Sequence, residues 1–156
     1  MPNQDQLWDL VAGHREGILA TIGPSGRPQL SNVLYVAEPG TRLVRISTTA
    51  ERAKAKNLAR DPRGSLHVSG ADFWHFAVAD GSVTLSAAAA APGDAAVAEL
   101  AEVHATFYGE LDPERFAAEM IAAHRLVVRL HVDHLYGVLA DSARRPRAES
   151  ASAVRD

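Results

Sequence analysis

Ser47, Thr48, Thr49, Arg52 and Lys54 place three hydroxyls and two cations within eight positions. At this point alternating apolar residues, RLVRIST, give way to a helix-tolerant run, ERAKAKNLAR. Hydroxyls and unbonded backbone N–H groups at a helix start bind phosphate. Arginine adds a bidentate fork and lysine a point charge. The same residues also suit a capped surface helix, with Thr49 as its cap.

A second group is Gln29, Ser31 and Asn32, polar residues inside the apolar run PQLSNVLYVAE. Polar side chains in the middle of a strand need partners, and the edge of a flat heterocycle would supply them. Solvent-facing ladder positions would satisfy them too. A third group is Asp72-Phe73-Trp74-His75-Phe76, whose aromatics suit a ring ligand, a core or an interface.

Charge distribution agrees with a small anionic ligand. Residues 42–63 hold seven cations, including both lysines, against two carboxylates. The net charge of the whole chain is −3, so this segment carries +5 and the remainder −8. A local basic cluster in an acidic protein fits a small anion better than nucleic acid, and a solvated helix face remains the plainer reading.

Other chemistries find little support. Cysteine is absent, which removes disulfides, thiolate metal sites and cysteine nucleophiles. Seven histidines are present, but no HExxH or equivalent spacing occurs. His131 and His134 lie three apart on an expected strand, which predicts opposite faces. No metal site is expected. There is no GxSxG, no Walker loop and no GxGxxG.

The elements that must position these residues follow from periodicity. The chain has 156 residues, 47% hydrophobic and 22% charged, the profile of one globular domain. No apolar run approaches the ~20 residues of a membrane span, and the N-terminus lacks a signal-peptide pattern. A cytoplasmic protein is expected. Residues 4–14 have helical spacing of Leu7, Trp8, Leu10 and Val11. Three strands follow, around residues 18–22, in PQLSNVLYVAE and in RLVRIST, and their short connections predict an antiparallel meander. A helix over Glu51–Arg60 ends at Asp61-Pro62. Strands GSLHVSG and WHFAVADGSVTLSA come next, with a bulge or bend at Asp80-Gly81. Two helices follow. One has Asp94 near its cap and runs toward Tyr108. The other starts at Asp112-Pro113-Glu114 and carries Phe116, Met120 and Ile121 on one face. RLVVRLHVDHLYGVL is the last strand. Residues 141–156 lack apolar periodicity and are expected to be a mobile tail after a domain of residues 1–140. About six antiparallel strands with outer helices predict a closed barrel, mainly β within an α+β class.

The segments GILATIGPSGRPQLSNVLYV, ISTTAERAKAKNLARDPRGSLHV, DFWHFAVADGSVTLS and RLVVRLHVDHLYGV resemble the pyridoxamine 5'-phosphate oxidase-like split β-barrel superfamily. GRPQLSNV and RAKxxNLxRDPR resemble, more narrowly, its flavin/deazaflavin oxidoreductase group B, which uses coenzyme F420. The high alanine and arginine content suits an actinobacterial genome. The resemblance extends to about Leu139 and implies a six-stranded antiparallel split β-barrel, assembled as a homodimer with cofactor sites at the interface. It implies that Ser47, Thr48, Arg52 and Lys54 hold the cofactor phosphate, with Asn57 in support. Gln29, Ser31, Asn32 and Val33 would line the deazaflavin ring, and Trp74 would reach the site from the partner subunit. Lys56 and Arg60 would meet the cofactor's acidic tail. The implied activity is hydride transfer to a conjugated small-molecule acceptor, the cofactor carrying the chemistry. Tyr35, Tyr136 and His75 are candidate proton donors. An FMN-binding enzyme of the same fold and a non-catalytic cofactor carrier are the alternatives.

Overall fold

The structure is a computed structural model and describes residues 2–139. The tail expected at 141–156 lies outside the described residues.

Among the described residues seven strands form one antiparallel sheet, one more than expected, in the order β2-β1-β5-β6-β7-β4-β3. They are β1 (Glu16–Ile22), β2 (Pro28–Leu34), β3 (Val36–Glu38), β4 (Leu43–Thr49), β5 (Arg63–Ser69), β6 (Phe76–Leu85) and β7 (Arg125–Val138). The extra strand arises because PQLSNVLYVAE breaks at Tyr35. β2 pairs with β1, whereas β3 pairs with β4. The expected three-strand meander is therefore replaced by two hairpins at opposite sheet edges. Only Tyr35 separates those edges along the chain, so the sheet must curl until they meet. That is the split barrel.

Tyr35 pins the junction. It is fully buried, its N–H donates to the Arg15 carbonyl at 2.9 Å, and its hydroxyl donates to the Val11 carbonyl at 2.6 Å. Burial pushes its phenol well above the ordinary tyrosine range. Tyr35→Phe is expected to lower unfolding stability by about 1 kcal/mol, the net worth of one hydrogen bond. Urea denaturation checks this, and an unchanged midpoint would show that the hydroxyl contributes nothing.

The main core fills the barrel with Leu19, Val44, Ile46, Leu66, Val68, Ala79, Val128, Leu130 and Leu135. Helix α1 (Gln4–Ala12) adds Leu7, Trp8 and Val11. An Asn3–Gln6 capping box starts it, and Gln4 holds both the N–H and the carbonyl of Leu135. Helix α2 (Ala53–Arg60) adds Ala55 and Leu58. Helices α3 (Ala95–Tyr108) and α4 (Pro113–Ala122) form a second, smaller core with Val127, which points away from the barrel. Asp112 caps α4 by accepting from the Glu114 N–H, with Pro113 in the first turn as the sequence predicts.

The Asp80-Gly81 signal marks a register shift between β6 and β7, with Asp133 as the extra residue. This overturns one expectation. His131 pairs with Ser82 and His134 with Asp80, so the bulge brings both histidines to the same face. No helix among the described residues is long and apolar enough to cross a membrane.

Candidate functional site

Strand alternation divides the hydroxyl run. Val44 and Ile46 face the barrel core, and Thr48, 5% exposed, shares their face. Ser47 and Thr49 lie on the outer face. Across the ladder Thr49 pairs with Arg125 and Ser47 with Val127. A guanidinium N–H of Arg125 donates to Ser47 Oγ at 3.1 Å, and His104 Nε2 from α3 lies 2.9 Å from the same oxygen.

Helix α2 begins at Ala53, two residues later than expected, with Arg52 in extended conformation at its N-cap. Among the described residues no side chain caps it. Thr49 does not cap the helix: its carbonyl accepts from the Arg52 N–H instead. Glu51, read as part of the helix, sends its carboxylate to His124 Nδ1 at 2.6 Å, and the Ala50 N–H bonds the His124 carbonyl. The segment before α2 is thus tied to the turn that opens β7. This leaves the N–H groups at the start of α2 without a side-chain acceptor, where the helix dipole is positive.

Lys54 extends from this first turn into a cleft of about 250 Å³, lined also by Asn32, Val33, Ser47, His104, Phe107 and Arg125. Partial burial first, then the positive charges of Arg52 and Arg125, hold its ammonium below the usual lysine range. Burial first, then Arg125, holds the His104 imidazole below the usual histidine range. Among the described residues no carboxylate forms an ion pair with Arg52, Lys54 or Arg125. Cations gathered without a counter-charge repel one another unless an anion joins them. The arrangement is a candidate anion site.

The other candidate residues divide by face. Gln29, Ser31 and Val33 pair with Thr21, Leu19 and Gly17 and share the inner face with them. Gln29 Oε1 accepts from Thr21 Oγ1, which in turn accepts from Asn57 Nδ2 at 3.1 Å. Asn57 is buried and also bonds Arg60, whose guanidinium reaches the Ile22 carbonyl. These contacts tie α2 to β1, away from the cleft. Ser31 Oγ is buried without a hydrogen-bond partner among the described residues. Asn32 pairs with Ile18 on the outer face, where a wider cleft of about 640 Å³ runs past Gly17, His67, Ser69 and Gly70. Asn32, Val33 and Leu34 line both clefts, which join them along the free edge of β2. Trp74 sits on the loop between β5 and β6, 51% exposed and edge-on to Phe73, which is 83% exposed.

Sequence reading missed Arg125 and His104. Arg125 enters the site only through the long-range pairing of β4 with β7. His104 lies on an alanine-rich helix whose spacing, Leu100, Val103 and Phe107, reads as core.

The pyridoxamine 5'-phosphate oxidase family matches residues 4–139, and the chain belongs to it. Solved structures agree on the fold. A conserved hypothetical protein of Mycobacterium tuberculosis, Rv2991, is 23% identical with a TM-score of 0.66, covering 92% of this chain and 95% of its own. An F420 reductase is 20% identical with a TM-score of 0.62, covering 87% and 98%. A FAD-binding protein of Mesorhizobium loti is 13% identical with a TM-score of 0.60, covering 86% and 92%.

Proposed function

We propose that the protein is a coenzyme F420-dependent oxidoreductase acting on a conjugated small-molecule acceptor. The observation that carries this reading is the group of Arg52, Lys54 and Arg125, left without a counter-charge around the uncapped start of α2. Its donors fit a phosphate: two guanidinium forks, one ammonium, the Ser47 hydroxyl and free backbone N–H groups. RAKAKN and GRPQLSN, which resemble the deazaflavin branch, favour F420 over FMN. The fold likeness to an F420 reductase is in keeping with that choice.

When bound, the deazaflavin supplies the hydride. The protein's part is to hold and orient. Ser47, Arg52, Lys54 and Arg125 anchor the phosphate, with Thr49 beside them on the outer face. Asn32 and Val33 line the joined clefts along β2. Gln29, Thr21 and Asn57 keep α2 and β1 in fixed relation, so the anchor and the strand edge move as one body. Tyr35 is unsuited to proton delivery, because it is buried and its hydroxyl is committed to Val11. The assay is turnover of reduced F420 with a quinone. Appearance of oxidised-cofactor fluorescence supports the reading. Binding without turnover on quinones, enones or nitroaromatics supports a cofactor carrier instead.

The working unit in this reading is a homodimer. The outer face of β1, β2 and β7 carries Ile18, Leu30, Tyr136 and Val138, each between 38% and 63% exposed. A second copy covering this apolar face would bring Trp74 toward the partner's cleft. Leu30→Glu is expected to convert the dimer to monomer, read by sedimentation velocity. A wild type that sediments as a monomer at all concentrations would refute the dimer.

A further inference from the structure

We propose that His104 is a proton-linked member of the anion clamp: its imidazole takes up a proton when a phosphate-type anion binds at Ser47, Lys54 and Arg125. The inference rests on the reading of this cleft as an anion site and adds a titrating partner to it.

The geometry is a shared oxygen. Ser47 Oγ accepts from Arg125, and His104 Nε2 stands 2.9 Å away. A hydroxyl has one proton and two lone pairs. While Nε2 is unprotonated, the Ser47 proton is spent on the imidazole. Once Nε2 carries a proton, the imidazole donates to Oγ. Ser47 then accepts from both neighbours, and its own proton is free to turn into the cleft.

The charges around His104 push in the same direction. From β7 it faces Arg125 and from α2 it shares the cleft with Lys54, near which Arg52 stands. From β4 it meets Ser47, from its own helix Tyr108 with ring centroids 5.8 Å apart, and from α4 Phe116 at 5.2 Å. The nearby carboxylates are committed elsewhere: Glu102 to Arg45, Glu99 to Arg129 and Glu51 to His124. Burial, then Arg125, holds the imidazole below the usual histidine range without a ligand. An anion among these cations offsets their field and favours the imidazolium.

Linkage gives the sign. A group whose pKa rises on binding makes affinity increase as pH falls from the bound to the free value. Sulfate is the probe of choice, because it does not itself titrate between pH 5 and 9. The His104 ring resonances, identified by their loss in His104→Asn, are followed by NMR against pH with and without sulfate at constant ionic strength. The titration midpoint is expected to rise by about one pH unit, equivalent to a tenfold gain in affinity. A midpoint that sulfate leaves unmoved overturns the inference, as does the absence of any sulfate effect on this cleft.

A second arm separates this from the parent reading. Coenzyme F420 affinity is measured at about pH 6 and pH 8 in the wild type and in His104→Asn. The inference expects tighter binding at the lower pH, about tenfold, in the wild type only. F420 binding that depends on Lys54 but has the same pH profile in both proteins overturns the inference and leaves the reading standing. Failure to bind F420 at all overturns the reading, and the sulfate titration still decides the role of His104.

Discussion

Replacing Lys54 by alanine is expected to weaken F420 binding at least tenfold, and the Arg52→Ala, Lys54→Ala double variant at least a hundredfold. A hydrogen bond to a charged group contributes about 1.5–3 kcal/mol, and each 1.4 kcal/mol is a factor of ten. Lys54 stands in a partly buried cleft beside Arg52 and Arg125, both of which disfavour its charge. Such a residue is unfavourable to the empty fold and useful only with an anion present. The same substitution is therefore expected to leave the melting temperature of the free protein unchanged or raised. Fluorescence titration and thermal unfolding of one variant check both parts. A variant that binds F420 normally but melts earlier would show that Lys54 is a structural residue.

Gly81→Ala is expected to cost about 3 kcal/mol of stability, at the upper end of overpacking effects. A Cβ on Gly81 would stand 2.0 Å from the His131 carbonyl oxygen and 2.8 Å from its carbon. Both are backbone atoms of the adjoining strand, so no rotamer change relieves the clash. The bulge that puts Gly81 opposite Val132 would have to open or slip. A slip of one residue would turn Leu135 and its neighbours out of the core. Gly93→Ala is the control, since nothing lies within 4 Å of the added carbon. Its midpoint in urea is expected to stay within about 0.5 kcal/mol of wild type. Equal stabilities for the two variants would refute this account of the bulge.

Signals carried by neighbours in the chain were legible in the sequence. Asp80-Gly81 signalled a bulge or bend, Asp112-Pro113 the start of α4, and RLVVRLHVDHLYGVL read as the last strand. What escaped was set by distant partners. Nothing within PQLSNVLYVAE shows that Tyr35 breaks it, because the break is held by Val11 of α1 and by Arg15 just before β1. Glu51 looked helical by type, but its carboxylate is drawn to His124, 73 positions away. Asn57, one turn beyond Lys54, seemed to share its task, yet its side chain is buried against Thr21. The cationic half of the site on α2 was readable from spacing. The half on β7 and α3 was not, because Arg125 and His104 arrive only through sheet pairing and helix packing. The number of strands followed the same rule, with the seventh created by a bend rather than a motif.

The most direct test of the central claim is a fluorescence titration of the purified wild-type protein with coenzyme F420 and, separately, with FMN. The account predicts micromolar or tighter binding of F420, with FMN bound more weakly. Preference for FMN would contradict the deazaflavin assignment and place the protein in the flavin-binding part of its family. Binding of neither would contradict the reading of the Ser47–Lys54–Arg125 cleft as a cofactor site.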